Sequence, residues 1–77
     1  MTEYQKQFLI ARGWQATIPN VYRKQLGPHD CYWIRAPKRK KDNWVVEWED
    51  SLSDCNDGER EFDSWKNLKE WLVSICY

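Results

Sequence analysis

The sequence is poor in the residues that cross-link small proteins. Its three cysteines are odd in number and form no CxxC pair, so they do not fit a disulfide framework. Glycine and proline number three each, which excludes a low-complexity linker. No apolar run approaches the ~20 residues of a membrane span, and no basic-then-apolar leader opens the chain. These absences predict a protein of a reducing compartment, most simply the cytosol, without membrane association.

What the chain does contain is aromatic side chains. It has six tryptophans and four tyrosines in 77 residues, with 42% apolar and 31% charged residues overall. This composition is globular, and the length predicts one small domain over residues 1–77. Two interpretations of the aromatic surplus stay open. The rings either fill a core that a short chain could not otherwise build, or some remain on the surface as binding anchors.

Charge is divided between the two halves of the chain although the net charge is zero. Residues 1–46 contain nine Lys or Arg and three Asp or Glu, a net +6, and residues 47–77 have the reverse, a net −6. Such asymmetry favours a charged partner. Alternatively, the two halves pair with each other across one sheet, which would hide the asymmetry within the fold.

The chain begins with the signature of a helix. Thr2 is followed three positions later by Gln5, the spacing of a capping box. Tyr4, Phe8 and Ala11 follow at helical spacing, with Leu9 beside them, and a glycine at position 13 can end the helix. We expect a helix over residues 3–12.

Strands are expected in the middle of the chain. Trp14, Ala16 and Ile18 alternate with polar residues before a Pro-Asn turn, so residues 14–24 predict a hairpin or an irregular edge strand. The clearest strands are at 31–35 and 44–48, and a short one is expected at 59–64. Polar loops at 36–43 and 50–58 connect them.

The last helix is expected to begin at a cap formed by Asp63 or Ser64. Its apolar stripe would pack on the sheet, while Lys66, Lys69 and Glu70 face water. The fold class is therefore α+β, a small antiparallel sheet of three to five strands packed by an N-terminal and a C-terminal helix. The predicted core cluster consists of Trp44, Val46, Trp48, Phe62, Leu68, Trp71, Leu72 and Ile75.

Catalytic and metal-binding motifs are weak. His29 and Cys31 lie close in sequence, but neighbours i and i+2 on a strand do not converge on a substrate. A zinc site from the three cysteines and His29 lacks paired ligand spacings, so small core cysteines are the favoured interpretation. Aligning Gly58 with the calcium-loop glycine places Ser53 and Cys55 where carboxylate or amide oxygens are required, so the calcium-loop pattern fails. We expect no enzyme activity, no metal and no cofactor.

The run "PKRKKDNW" contains four consecutive cations, residues 38–41, in the loop between the two clearest strands. By default this run is the solvated tip of a β-hairpin. Lys and Arg there could also neutralise phosphates while neighbouring rings stack on bases. The carboxylates of Asp54, Asp57, Glu59 and Glu61, in the strand expected at 59–64 and the loop before it, oppose a polyanion. Nucleic-acid binding through this tip is therefore the alternative interpretation.

Some resemblances to known families arise from the order of these elements. Residues 31–76 are similar in topology to plant ethylene-response-type and phage-integrase arm-type DNA-binding domains, and the helix-first order is similar to double-stranded RNA-binding domains. The acidic third strand departs from the DNA-binding pattern. "REFDSWKNLKEWL", residues 60–72, resembles the strand-to-helix junction of a small phage-encoded anti-CRISPR protein. That resemblance implies a stoichiometric protein that covers a surface of a nuclease complex.

The favoured function is a small non-enzymatic binding protein that occupies a partner surface. A mobile-element inhibitor of a host defence nucleoprotein is its most concrete form, and a chain that self-associates as a homodimer is a third, weaker interpretation. The residues assigned to partner binding are Lys38, Arg39, Lys40, Lys41, Trp33, Glu47, Glu49, Asp50, Asp54 and Asp57.

Overall fold

The computed structural model of the chain describes residues 1–39, 41–50 and 57–77. Two helices flank five strands in the order α1 (Glu3–Ala11), β1 (Gln15–Ala16), β2 (Val21–Gln25), β3 (Asp30–Arg35), β4 (Trp44–Asp50), β5 (Gly58–Phe62) and α2 (Trp65–Ser74). The predicted α+β class, with helices at both ends of an antiparallel sheet, is confirmed. Residues 51–56 of the predicted loop lie outside the described residues.

The first helix is formed by the predicted cap. The Thr2 side chain accepts a hydrogen bond from the Gln5 amide, and the Gln5 side chain accepts one from the Thr2 amide, which completes the capping box. The apolar residues at helical spacing do not all lie on the packed side of this helix. Tyr4 and Ala11 are exposed and Leu9 is the fully buried position. The packing partners on the sheet and on α2, which local spacing does not reveal, decide which side of α1 is covered.

Residues 15–25 form the predicted hairpin with an edge strand, although the strand bounds differ from the alternation in the sequence. β1 is two residues long and forms the edge of the sheet beside β2, and the turn before β2 includes Asn20 in the left-handed conformation at φ 66°. Trp14 precedes β1 and is buried, with its indole Nε1 donating to the main-chain oxygen of Tyr77 at 3.0 Å. Ile18 is 66% exposed. The alternation in this segment therefore does not describe one buried strand face.

The sheet is an uninterrupted antiparallel meander in the order β1-β2-β3-β4-β5. Its register places Tyr22, Ile34, Val46 and Arg60 in one lateral row across β2 to β5. Side chains alternate between the two sides of a strand, so each such row lies on one side of the sheet. The register therefore sorts every strand residue onto one of two faces.

The two helices cover one of these faces. Buried residues of both helices, of strands β2 to β5 and of the segments beside the strands form one cluster, namely Leu9, Trp14, Tyr22, Ile34, Ala36, Trp44, Val46, Phe62, Leu68 and Leu72. Trp48 and Trp71, predicted as core residues, pack against it as half-buried rings. Ile75, also predicted there, is the C-cap residue of α2 and is half-buried outside the cluster. We call this side of the sheet the covered face.

The second helix begins where the sequence predicts. Ser64 is the N-cap and its hydroxyl accepts from the Asn67 amide at 3.2 Å, while Asp63 accepts from the Asn67 side chain at 2.6 Å. Lys66 and Glu70 are exposed as expected. Lys69 corrects the prediction, because it is half-buried and donates to the Tyr4 hydroxyl at 2.6 Å, which connects the two helices.

The covered face is closely filled up to the β5 edge. Trp48 lies opposite Gly58, and its indole occupies the space that a side chain at Gly58 would need. The same ring stacks on Tyr32 with centroids 5.8 Å apart and lies 6.4 Å from Trp71. Glycine is therefore the residue that allows a tryptophan to close this end of the core.

Candidate functional site

The candidate site is the other side of the sheet, which we call the open face. Its residues alternate along the strands with those of the covered face, and both helices contribute their buried residues to the opposite side. From β2 to β5 these residues are Val21, Arg23, Gln25, Cys31, Trp33, Arg35, Val45, Glu47, Glu49, Glu59 and Glu61. The sequence predicts a binding function for three of them, Trp33, Glu47 and Glu49.

One end of the open face is a concavity of about 820 Å³. The turn between β1 and β2 borders it on one side and the β3–β4 hairpin on the other, with Ile18, Trp33, Pro37 and Val45 among its apolar lining residues. Trp33 and Val45 are half-buried, and Ile18 is exposed on the rim. A concave surface with an aromatic ring and several aliphatic groups is typical of a binding site rather than of a solvated sheet face.

Charges on the open face are separated by strand. One lateral row runs from Arg23 through Trp33 to Glu47 and Glu59, so its cation lies on β2 and its carboxylates lie on β4 and β5. The division of charge along the sequence thus becomes a division across the sheet. The other interpretation from the sequence was that the basic and acidic halves of the chain pair with each other. Such a pair is present where Arg35 Nε lies 3.3 Å from Glu47 Oε1. Because Arg35 is mostly exposed, this ion pair contributes little to stability.

The basic run forms the β3–β4 connection, as expected for a hairpin tip. Lys38, Arg39 and Lys41 are exposed, and the Asp42 amide donates to the Arg39 carbonyl at 3.0 Å in a turn. Lys38 also lines the concavity. Lys40 lies outside the described residues. The tip therefore extends the cationic side of the open face beyond the end of the strands.

The predicted acidic residues do not all lie together. Glu47 and Glu49 line the concavity, and Asp57 joins them at a shallower groove beside Trp33. Asp50 alternates with Glu49, so its side chain belongs to the covered-face side, and its backbone amide donates to the Asp57 carboxylate at 3.0 Å. Asp54 lies outside the described residues.

Several residues of the open face were missed at the sequence level. Arg23 and Arg35 occupy the cationic strands, and Glu59 and Glu61 occupy the acidic edge strand. Strand alternation in β5 could have assigned Glu59 and Glu61 to one face. Arg23 could not be found in this way, because the bounds of β2 were ambiguous from the sequence.

The residues considered for thiol or metal chemistry do not form a site in the described part of the chain. Cys31 is buried, His29 is an exposed loop residue before β3, and Cys76 is exposed, which corrects the expectation that the cysteines are core residues. Cys55 lies outside the described residues. Among residues 1–39, 41–50 and 57–77, no three His, Cys, Asp or Glu side chains are grouped to hold a metal ion.

Two ionisable groups on the covered face have shifted pKa values. Burial raises the pKa of Tyr32, with Tyr77 and Asp30 nearby adding to the effect. Burial lowers the pKa of Lys24, and the charge of Arg12 lowers it further. Lys24 donates to the main-chain oxygen of Tyr77 at 3.2 Å, and this hydrogen bond connects β2 to the residues that follow α2. Both groups lie away from the open face.

Comparisons with protein-family models, with curated proteins and with solved structures find no match to this chain. Neither helix in the described part is long and apolar enough to cross a membrane. The fold and the two sheet faces are therefore the basis for a functional proposal.

Proposed function

We propose that this chain is a small non-enzymatic binding protein that acts by covering part of a protein partner with the open face of its sheet. The observation that carries the proposal is the concavity on that face, with half-buried Trp33 inside it and Ile18 exposed on its rim. Apolar anchors supply affinity at protein interfaces, and charges around them supply steering and register. Its most concrete form is an inhibitor, encoded by a mobile element, that occupies a surface of a host defence nucleoprotein.

The charge pattern favours a protein over a nucleic acid as the partner. Arg23 and Arg35 share the open face with the carboxylates of β4 and β5. A phosphate backbone lying across this face would meet those carboxylates and be repelled. A protein surface can present both signs of charge, so it can complement both sides of the face.

Nucleic-acid binding by the hairpin tip is the second candidate. Its supporting observation is that Lys38, Arg39 and Lys41 are all exposed at one end of the molecule. Binding through the tip alone would be electrostatic and would weaken steeply as salt rises. A salt titration against duplex DNA, duplex RNA and single strands separates the two candidates. Salt-sensitive, micromolar binding at physiological salt would place the nucleic-acid function first.

The partner proposal is tested with two matched substitutions. Ile18→Gln removes an apolar group from the rim of the concavity, and Ile10→Gln removes the same group from α1, where Ile10 is 50% exposed. Tagged wild-type and variant proteins are incubated with extract of the source organism, and captured proteins are quantified by mass spectrometry. We expect Ile18→Gln to lose a partner that Ile10→Gln retains. Equal capture by both variants would contradict a role for the open face.

A further inference from the structure

The two lateral sides of the open face carry charges of opposite sign. Cations lie on β2 and β3, at Arg23 and Arg35, and carboxylates lie on β4 and β5. In lateral order the face therefore changes from positive to negative near its middle. A surface divided in this way can complement an identical surface if the two are turned correctly.

We infer that the open face binds a second copy of this chain, in a symmetric dimer whose two-fold axis runs parallel to the strands and between β3 and β4. This inference rests on the proposed function, because it names a partner for the same face. A second copy and a host protein would then exclude each other from the open face.

The direction of the axis follows from the charges. Rotation about an axis parallel to the strands exchanges the left and right sides of the sheet, so β2 lies over β5 of the second copy and β3 lies over β4. Arg23 and Glu59 belong to one lateral row, so this rotation brings each Arg23 toward the other copy's Glu59. An in-plane axis perpendicular to the strands would set cations against cations. Either axis keeps the strands of the two sheets aligned, as face-to-face sheets require, so the charges select between the two axes.

The apolar groups of the face lie where an interface needs them. Trp33 on β3 and Val45 on β4 are half-buried and lie next to the proposed axis. The charged residues on these two strands include Arg35 and Glu47, which pair with each other within each copy. Arg23 and Glu59 lie toward the rim, and apolar groups near the centre with charges at the rim are the usual arrangement of protein interfaces. The four strands β2 to β5, spaced about 4.8 Å apart and with roughly six residues each, give a face about 19 by 20 Å. That is small for a permanent dimer, so a concentration-dependent equilibrium is expected.

The test uses charge reversal on the two sides of the face. Arg23→Glu makes both cross-interface pairs carboxylate against carboxylate, and Glu59→Arg makes both pairs cation against cation. The dimer dissociation constant of each variant alone should be at least tenfold higher than that of wild type, as measured by sedimentation equilibrium over a concentration series. In an equimolar mixture, a dimer of one Arg23→Glu copy and one Glu59→Arg copy again sets a cation against a carboxylate in both pairs. Mixed dimers should therefore form.

Controls match the change in net charge without touching the open face. Lys66→Glu and Glu70→Lys alter exposed side chains of α2 and should self-associate like wild type. Circular dichroism establishes that every variant is folded. A wild type that stays monomeric at high concentration would overturn the inference. An unchanged dimer dissociation constant in both charge-reversal variants would also overturn it. So would the absence of mixed dimers in the equimolar mixture of the two variants. None of these results affects the Ile18→Gln capture experiment, which tests the proposed function separately.

Discussion

Adjacent residues of the central strands lie in two different environments on the two faces of the sheet. On the covered face, Trp44 and Val46 are buried under the helices among other large rings. On the open face, Trp33 and Val45 are half-buried and are surrounded by charged side chains. All six tryptophans are among the described residues, and five pack in or against the core cluster while Trp33 lies on the opposite side. The aromatic surplus thus mainly builds the core, and one ring remains for binding.

Replacing one tryptophan on each face by alanine should give the largest difference in unfolding free energy. Trp44→Ala removes a 5% exposed ring from the core and should cost about 3–5 kcal/mol of unfolding free energy. That loss approaches the whole stability of a small domain. Trp33→Ala should cost no more than about half as much, since water already reaches its ring. Urea unfolding followed by far-UV circular dichroism measures both. Equal losses would mean that the open face is a structural surface.

Two adjacent valines of β4 provide a finer comparison with identical chemistry. Val46→Ala removes two methyl groups from a fully buried position and should cost about 2 kcal/mol, including the cavity that remains. Val45→Ala makes the same change on the open face and should cost less than about 1 kcal/mol. The difference between the two midpoints of unfolding is the measurement. A larger loss at Val45 would reverse the assignment of the two faces.

A methyl group at Gly58 tests how tightly the edge of the covered face is filled. Gly58→Ala would overlap the Trp48 indole, so the ring must move away from Tyr32 and Trp71. We expect a loss of about 1–3 kcal/mol, the usual cost of overpacking, together with a change in near-UV circular dichroism. Gly27→Ala is the control, because its nearest neighbour is an Asp30 carboxylate oxygen at a comfortable 3.7 Å. An unperturbed near-UV spectrum in Gly58→Ala would show that Trp48 does not occupy this space.

The smallest expected effect is an alkaline titration of the covered face. Because the pKa of Tyr32 is raised above its ordinary value of 10.0 by burial, its contribution to stability is fully present below pH 10. That contribution is lost as the pH rises through the folded-state pKa. Lys24, whose pKa is lowered, acts in the opposite direction, because its unfavourable burial as a cation is relieved as the pH rises toward 10.5.

The effects of Tyr32 and Lys24 overlap in the wild-type protein. Only a comparison of wild type with a Tyr32 variant therefore isolates the contribution of Tyr32 to stability. We expect Tyr32→Phe to lose less stability than wild type between pH 9 and pH 11, measured by urea unfolding at each pH. Absorbance at 295 nm should show that the variant lacks the late-ionising tyrosine. The same alkaline loss in both proteins would contradict a raised pKa at Tyr32.

Local signals predicted several elements well. The capping box at Thr2 and Gln5, the Ser64 cap and the alternation in β4 all depend on residues within a few positions of each other. These interactions form wherever the backbone adopts the local conformation, so sequence spacing is enough to detect them. The hairpin tip at residues 38–41 is predictable for the same reason, since a polar run between two strands has few alternatives.

The candidate site was less predictable because it depends on register. The sequence assigned Asp50 to the binding surface together with Glu49, but adjacent strand residues point to opposite sides, so the two carboxylates are separated. Arg23 entered the site only when the pairing of β2 with β3 was known. Tyr4, one of the residues at helical spacing in α1, is exposed and accepts a hydrogen bond from Lys69 of α2, a contact between distant residues that local spacing cannot reveal.

The sequence by itself determined the class of fold, the two helix starts and the division of charge into a basic and an acidic half. It did so because these properties follow from composition and from contacts between near neighbours. Tertiary structure decided which side of the sheet the helices cover, and with it why Trp44 is core and Trp33 is a binding candidate. It also converted the charge division along the chain into one across the open face. Only the pairing of strands distant in sequence sets that arrangement, because pairing fixes which side chains share a surface.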